Sequence, residues 1–439
     1  MRRTSIHFLA WGSPCNVPFW ALVPVVFLCL LIFPSVTFCA AWELVGPEGG
    51  QFIFSMTNPA NADEITAITS SPSPSNVYKS ADGGASWSKI GEIPYPDVND
   101  VSAFDFSTLY AITSSSCYRS TDGGMNWTEA RLPSSSGWAY CICAHPTDSR
   151  IVYAGGRYRT SQGTYTMVFF KSTDGGQSWS AWQFFSFEGF TPYDMAISNS
   201  NPSVIYIAGR KEGGNSLYSG FLLTTSDGGN TWTDISSAVE RNPRLVFYSV
   251  AVDPTDDGKV YVGGNYFYRG TKTGRDSDLS WTHSPNPFLP FRVNSISIDP
   301  VDPSRIYIGL DESLATSTNY GVSWNLRNNT VKSKVGHIAI APADPSKVYV
   351  SSHTGFYKSL NFGSSWDTAH DGIYVASINA MDVDPRMILV QNGGFLMSYG
   401  RGRNVGWEHI VTPESCGTVS DILINPDNPN TVLVIEGFG

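Results

Sequence analysis

Short alternations of apolar and polar residues recur along most of the chain and predict a series of β-strands. One alternation runs from Ser295 to Asp299, reaches Pro300, and is followed after a short loop by the Tyr-containing run 306–309. The same order recurs within 250–263, 338–350 and 422–434. A period of two predicts half-buried strands, and the Asp-Pro pair predicts a tight turn between them. The body of the chain shows no convincing stretch with the 3.6-residue period of a helix.

A second motif places a tryptophan five residues after an aspartate that begins an Asp-Gly-Gly turn. The four clear copies are Asp82 with Trp87, Asp122 with Trp127, Asp174 with Trp179, and Asp227 with Trp232. Weaker copies end at Trp324 and Trp366, and degenerate ones end near Trp281 and Trp407. The carboxylate can accept hydrogen bonds from turn amides while the glycines supply positive φ, so we expect a structural role rather than calcium binding or catalysis.

The repeats follow one another at the spacing expected for propeller blades. Successive tryptophans are 40 to 53 residues apart, and each interval contains the strands of one four-stranded antiparallel meander. A meander cannot bury both faces alone, whereas several packed around an axis can, so we predict an all-β propeller. We count eight to nine blade equivalents and expect a strand at Trp42 to complete the last blade. The nine predicted inner strands start near Phe54, Asp100, Cys141, Asp194, Ser249, Ser295, His337, Ala380 and Asp421.

The repeats resemble the Asp-box (BNR) repeats of sialidases, xyloglucanase-type glycoside hydrolases, sortilin-type receptor ectodomains and the photosystem II assembly factor type. The resemblance covers nearly all of residues 42–439 and is closest to bacterial exported BNR-repeat proteins of unassigned function. It implies a propeller whose Asp-boxes fold the blade edges, away from a ligand face at the mouth of the central channel.

The first 41 residues have the layout of a secretory signal. Arg2 and Arg3 precede an apolar run over 17–33, and the small residues Ala40 and Ala41 follow it. We expect cleavage near Ala41, with a retained anchor as the alternative. The propeller at 42–439 is then secreted or periplasmic, and it meets a membrane only through a retained anchor.

Charge and cysteine usage exclude several function classes. The net charge is −10, and removing the leader makes it more negative by two, which argues against nucleic acid as a partner. No Cys/His spacing resembles a zinc site, and no nucleotide loop or other cofactor motif is present, so we expect neither a metal nor a cofactor. Beyond the leader, the cysteines are Cys117, Cys141, Cys143 and Cys416. We expect buried free thiols, with a bond from Cys117 to Cys141 or Cys143 as the alternative.

One candidate site lies where the inner strands begin, at the predicted channel mouth. Its residues are Asp100, Tyr193, Asp194, His337 and Asp421, with Tyr140 and Tyr248 close by in sequence. Such a ring could bind sugar hydroxyls or a cation. The alternative is that these groups satisfy loop amides and waters.

A second candidate site lies in three long connections predicted between second and third strands, at 155–166, 209–220 and 263–275. They contain seven basic residues and a single acid, Glu212. Aromatic faces can stack on sugar rings or clamp a peptide, and arginine can bind carboxylates. Either this rim binds a polysaccharide or an extended peptide, or it is an ordinary solvated surface. The candidate residues are Arg157, Tyr158, Arg159, Arg210, Tyr218, Tyr266 and Arg269.

The motifs of related enzymes are poorly matched. A sialidase-type arginine motif has its nearest match at Phe291-Arg292-Val293-Asn294, late in the chain and without the proline. A glycoside hydrolase would need two carboxylates across a cleft, and Asp100, Asp194 and Asp421 are the conceivable ones. We therefore expect an exported, non-catalytic binding or scaffolding propeller, with a glycoside hydrolase as the alternative. An assembly-factor role would rest on the repeats alone.

Overall fold

The computed structural model describes the larger part of the chain after residue 49. Side chains and backbone are described over 50–70, 74–95, 98–133, 137–160, 163–212, 218–239, 245–274, 278–283, 291–327, 331, 333–371 and 373, except for the side chains of 137 and 181–188. After 377 only the backbone of strands between 378 and 436 is described. The predicted leader and the Trp42 strand lie outside the described residues.

The first seven sheets have four antiparallel strands each, and the strands are hydrogen-bonded in chain order. Blade 1 contains β1 (Phe52–Asn58), β2 (Asn61–Thr69), β3 (Ser75–Ser80) and β4 (Ser88–Ile93). Blade 2 contains β5 (Asp100–Ala103), β6 (Leu109–Ile112), β7 (Ser116–Ser120) and β8 (Thr128–Arg131). Blade 3 contains β9 (Gly137–Ala144), β10 (Val152–Arg159), β11 (Tyr165–Ser172) and β12 (Ser180–Glu188). Blade 4 contains β13 (Phe190–Ile197), β14 (Ile205–Glu212), β15 (Tyr218–Thr225) and β16 (Thr233–Asp234).

The same arrangement continues through the next sheets. Blade 5 contains β17 (Phe247–Asp253), β18 (Asp256–Gly264), β19 (Phe267–Lys272) and β20 (Leu279–His283). Blade 6 contains β21 (Val293–Ile298), β22 (Ile306–Leu310), β23 (Leu314–Ser317) and β24 (Asn325–Leu326). Blade 7 contains β25 (Val335–Ile340), β26 (Val348–Ser352), β27 (Phe356–Ser359) and β28 (Asp367–Thr368). A short helix, α1 (Ser236–Val239), follows β16. Within the described residues, no helix combines the length and apolar character needed to cross a bilayer.

Two further sheets follow blade 7. The eighth contains β29 (Ile378–Asp384), β30 (Met387–Asn392), β31 (Phe395–Gly400) and β32 (Gly406–Ile410). The ninth contains β33 (Val419–Ile424) and β34 (Val432–Glu436), and β29 packs against β33.

The ring closes after seven blades, not eight or nine. Each inner strand from β1 to β25 packs against the next, and β1 packs in turn against β25 and β26. The Tyr349 hydroxyl donates to the Ala62 carbonyl at 3.0 Å, and the Ser351 and Ser55 hydroxyls are 3.0 Å apart. The nine predicted inner strands are all present, but the last two begin after the circle is complete. The expected blade number was wrong because a repeat pattern counts units and does not show how many fill one turn.

Tyrosines on the second strands hold neighbouring blades together. Tyr110, Tyr206, Tyr307 and Tyr349 are fully buried at this position in blades 2, 4, 6 and 7. The Tyr110 hydroxyl donates to the Ser149 carbonyl of blade 3, as Tyr349 does to Ala62. Tyr110 and Tyr349 thus contribute apolar area to the core and satisfy their hydroxyls at the same time.

The Asp-Gly-Gly turn between the third and fourth strands is a compact hydrogen-bonded unit. In blade 1, Asp82 Oδ1 accepts the amide of Ser86 at 2.9 Å and the hydroxyl of Ser80 at 2.8 Å. The Ser86 hydroxyl and amide hold the pKa of Asp82 at about 2. Gly83 and Gly84 have φ of 69° and 80°, a region that glycine adopts without strain. The carboxylate is therefore engaged within its own turn.

Candidate functional site

A β-bulge recurs in the inner strands and leaves one residue of each bulged strand unpaired in the ladder. The strand register shifts at the same point in six of the seven blades, all except blade 2. A bulge leaves one residue unpaired and re-aims its side chain. The bulged residues are Ile53, Tyr140, Tyr193, Tyr248, Asn294 and Gly336. Three consecutive blades, 3 to 5, therefore carry tyrosine at this position.

Arginines cover the three bulge tyrosines. The rings of Tyr193 and Tyr248 stack with centroids 5.7 Å apart and planes 12° apart. The Arg210 guanidinium carbon lies 5.9 Å from the Tyr193 centroid, and that of Arg292 lies 5.6 Å from the Tyr248 centroid. The corresponding distance from Arg157 to Tyr140 is 5.7 Å. We call these six residues, Tyr140, Tyr193, Tyr248, Arg157, Arg210 and Arg292, the arginine–tyrosine ladder.

More aromatic rings extend the ladder outward. Arg157 also lies 4.4 Å from the ring of Tyr165 and 5.4 Å from that of Trp138, and Arg210 lies 4.6 Å from that of Tyr218. Trp138 and Tyr218 are among the exposed large hydrophobic side chains. Burial raises the pKa of Tyr140 and Tyr193, although Arg157 and Arg210 oppose the rise. Both phenols are therefore neutral at neutral pH and keep a hydroxyl to donate.

The guanidinium groups of Arg157 and Arg210 converge from two blades and are only partly paired. Their side chains are 20% and 29% exposed. Glu212 Oε1 lies 3.5 Å from Arg157 Nη1 and 3.9 Å from Arg210 Nη2, both longer than a good hydrogen bond. Within the described part of the chain, the buried Nε atoms of both arginines have no hydrogen-bond partner. Because the Nε atoms are buried, an external carboxylate would meet the Nη atoms, whose contacts with Glu212 are long.

The central channel lies on the axis of the ring and is lined by all seven inner strands. Its volume is about 970 Å³. Asp100 Oδ2 accepts the amide of Ile142 in blade 3 at 2.9 Å, and Asp194 Oδ2 accepts that of Val250 in blade 5 at 2.8 Å. Each carboxyl group also accepts the amide of the residue that follows it. Both groups thus tie an inner strand to the next blade.

Burial at the channel wall dominates the titration of these groups. It raises the pKa of Asp100 to about 8, with a further rise from the neighbouring Asp194, and that of Asp194 to about 6. Burial lowers the pKa of His337 to about 4, so its imidazole is neutral at neutral pH. The His337 ring packs against Phe54 of blade 1 at 4.8 Å, and its Nδ1 has no partner among the described residues.

The other predicted rim residues are dispersed. Tyr158 packs into the core between blades 2 and 3, while Arg159 at the end of β10 is exposed. Tyr266 packs against Tyr268 and His283 of its own blade. Asp421, which was predicted at the channel mouth rather than in the rim, lies on β33. This strand is not one of the seven inner strands of the ring, and the side chain of Asp421 is outside the described residues.

The predicted loop at 263–275 was wrong. Only Asn265 and Tyr266 separate β18 from β19, and Arg269 lies on β19 opposite Tyr261 and Thr282. In the clear copies of the repeat, the Asp-Gly-Gly turn shows where the third strand ends. The turn before Trp281 lacks this motif, so the third strand of blade 5 was mistaken for a loop. The segments 155–166 and 209–220 consist mainly of paired strands, whose ladders reach Arg159 with Tyr165 and Glu212 with Tyr218.

Sequence reasoning missed Arg292 and Trp138 as neighbours of the site. Trp138 and Arg292 each lie two residues before a bulged residue, Tyr140 and Asn294. That offset from the inner-strand bulge is the signal that finds them. It emerges only once the strand register is known.

The thiols and possible metal ligands do not form a site in the described residues. Cys117, Cys141 and Cys143 are free, as expected, and the alternative of a disulfide among them was wrong. Burial raises the pKa of Cys143 to about 12, so its thiol is protonated and unreactive. Within the described residues, no group of three or more His, Cys, Asp or Glu side chains could hold a metal ion. Cys416 falls outside them.

Comparisons with known proteins agree with the fold. The family model described as "Sortilin-Vps10: Sortilin, neurotensin receptor 3" matches residues 75–219. No curated protein matches the chain. The solved structure of YCF48 bound to D1 peptide is 14% identical, covers 73% of this chain and 97% of that chain, and has a TM-score of 0.52. YCF48 from Cyanidioschyzon merolae is 15% identical, with 74% and 100% covered and a TM-score of 0.52.

A glycoside hydrolase is also similar at a lower level. The crystal structure of an ancestral GH74 enzyme is 16% identical, covers 91% of this chain and 68% of that chain, and has a TM-score of 0.44. At these identities the comparisons with YCF48 support the propeller fold and do not by themselves assign a function.

Proposed function

We propose that this chain is an exported, non-catalytic Asp-box propeller that captures an extended acidic peptide at the arginine–tyrosine ladder. The convergence of Arg157 and Arg210 from neighbouring blades, with Nη atoms that make long contacts to Glu212, carries this proposal. Planar guanidinium groups bind carboxylates through paired N–H donors, and such charge-assisted bonds are strong in a partly buried site.

The aromatic rings of the site are covered by arginine side chains and by one another, which favours a peptide ligand over a neutral polysaccharide. Sugar stacking needs free aromatic faces, but Tyr193 stacks on Tyr248 and lies beside Arg210. The more exposed rings of Trp138 and Tyr218 also each lie beside an arginine. Recognition therefore centres on the arginines, with the aromatic rings holding them in place and contributing apolar contact area. A polysaccharide ligand is the second outcome that the test below distinguishes.

Three observations support an exported peptide-binding role. The N-terminal 41 residues have the layout of a secretory signal. The sortilin family model matches residues 75–219, from the third strand of blade 1 to the start of the third strand of blade 4. A propeller of similar fold, YCF48, has been solved bound to D1 peptide.

A glycoside hydrolase remains the alternative function, and the raised pKa of Asp100 near Asp194 is the observation that favours it. A general acid needs a raised pKa and a second carboxylate across the substrate. Against this, each carboxyl group accepts two backbone amides, one of them from the next blade. Groups committed to holding blades together are poorly placed to exchange protons with a substrate.

The test is binding of residues 42–439 to two arrays, one of acidic and neutral peptides and one of polysaccharides. Every ligand that binds is then analysed for cleavage products. We expect capture of acidic peptides without cleavage. Capture of polysaccharide alone would contradict the peptide assignment. Cleavage of a glycan that disappears in Asp100→Asn would replace the proposal with the hydrolase.

A further inference from the structure

The backbone of Glu212 is held in place beside the two converging arginines. It is the last residue of β14, and its amide donates to the Gly189 carbonyl at 2.9 Å. Gly189, in the link between blades 3 and 4, has φ of 75° and donates its own amide to Tyr165 at 2.8 Å. A side chain at Gly189 would come within 3.1 Å of the Glu212 Cβ. The backbone therefore fixes where the Glu212 side chain starts.

The carboxylate of Glu212 neutralises the arginine pair incompletely. Arg157 and Arg210 approach the same oxygen, Oε1, at distances too long for strong hydrogen bonds. The Glu212 side chain is 41% exposed, so water competes for it. Ion pairs of this exposed kind are weak, typically below about 1 kcal/mol. An external carboxylate that met both guanidinium groups in paired geometry would bind them more strongly.

We infer that Glu212 is an intramolecular competitor that occupies, in the free protein, the place taken by a carboxylate of the bound peptide. This inference rests on the proposed function and adds the chemistry of its central contact. The ligand group is a carboxylate, either an acidic side chain or a peptide C-terminus. The need to displace Glu212 lowers the affinity for every peptide. A peptide that lacks a negative charge cannot displace Glu212 and therefore binds poorly.

Removing the competing charge should tighten binding of the acidic peptide. Glu212→Gln keeps the shape of the side chain and abolishes its attraction for the arginines. We expect the affinity for an acidic peptide to rise about three- to tenfold, the factor that corresponds to loss of weak, exposed ion pairs. Glu212→Asp, whose shorter side chain withdraws the carboxylate, should shift affinity in the same direction and serves if the glutamine variant folds poorly.

The experiment is calorimetric titration of residues 42–439 with four synthetic octapeptides. Two contain alternating Glu and Ala, and two contain Gln in place of Glu. Each sequence is made with a free and with an amidated C-terminus. A gain in Glu212→Gln that follows the Glu side chains identifies a side-chain carboxylate as the ligand group, and a gain that follows the free terminus identifies the C-terminal carboxylate.

The matched control is Glu129→Gln, a similarly exposed carboxylate that lies 3.9 Å from Arg131 on blade 2. It should leave every affinity unchanged. Equal affinities of wild type and Glu212→Gln for peptides that both bind would overturn the role of Glu212 and leave the proposed function standing. No binding of any of the three carboxylate-bearing peptides by either protein would overturn both.

Discussion

The indole N–H of Trp87 in blade 1 donates to the backbone carbonyl of Ala369 in blade 7 at 2.7 Å. The same indole packs edge-on against Phe356 at 5.1 Å. By contrast, the indoles of Trp127 and Trp232 donate to a glycine of their own turn. A tryptophan of the repeat has thus become part of the seam where the first and last blades meet.

The seam should therefore depend on Trp87. Trp87→Ala removes the hydrogen bond to Ala369, 282 residues away, and the aromatic contact with Phe356. We expect this change to lower the free energy of unfolding by about 3 kcal/mol. Equilibrium denaturation in urea measures this. Trp87→Phe, which keeps the ring contact and loses the donor, should cost about 1 kcal/mol. Identical unfolding curves for wild type and Trp87→Ala would contradict closure through this contact.

The Asp-Gly-Gly turn should tolerate asparagine better than alanine. Asp174 Oδ1 accepts the Ser178 amide at 2.9 Å, and in blade 7 Asn361 Oδ1 accepts the Ser365 amide at 2.8 Å. Asp174→Asn keeps this acceptor, while Asp174→Ala leaves the turn amide without one. We expect alanine to lower the melting temperature, at a cost of about 1 kcal/mol, and asparagine to cost less than half of that. Equal losses in both variants would show that the carboxylate charge, rather than the hydrogen bond, stabilises the turn.

Asp100 should make stability depend on pH in a defined direction. Its pKa in the folded protein is raised to about 8 by burial, whereas in the unfolded chain it is near the ordinary 3.8. Between these values the folded state retains a proton that the unfolded state has lost. The free energy of unfolding therefore falls as pH rises through this window. Urea denaturation at pH 5 and pH 8 should show wild type losing more stability than Asp100→Asn, and parallel losses would contradict the raised pKa.

The sequence was sufficient to predict the positions of the strands, but not the number of blades at which the ring closes. Local alternation and turn residues located all nine inner strands, including those at His337 and Ser295. Ring closure depends on contacts such as Lys347 with Asp63, 284 residues apart, for which no local pattern exists. The number of blades follows from the angle between neighbouring sheets, a property of packing rather than of repeat length.

The candidate site was predicted in part. The basic and aromatic excess in 155–166 and 209–220 led to Arg157 and Arg210, which the structure places together with Glu212. Arg269 was included because the missing turn marker of blade 5 hid its third strand. Arg292 was missed because its role depends on a bulge register that only the folded sheet shows.

Two aromatic residues break the turn pattern. Tyr320 and Phe362 occupy the position of the first glycine of the turn in blades 6 and 7, with φ of 57° each, and both are exposed. A left-handed backbone costs a non-glycine residue about 1 kcal/mol. Lys259 lies over the Tyr320 ring at 4.9 Å and Arg305 over the Phe362 ring at 4.1 Å, and these contacts offset part of that cost.

The most direct test of the central claim is the affinity of residues 42–439 for the acidic octapeptide, measured for wild type and for the double variant Arg157→Gln/Arg210→Gln. The control is Arg131→Gln/Arg150→Gln, which removes the same charge from two arginines that are 87% and 75% exposed. We expect the ladder variant to bind about thirtyfold more weakly, because charge-assisted hydrogen bonds are lost, and the control to bind like wild type. Equal weakening in both variants, or unchanged affinity of the ladder variant, would contradict recognition by the converging arginines.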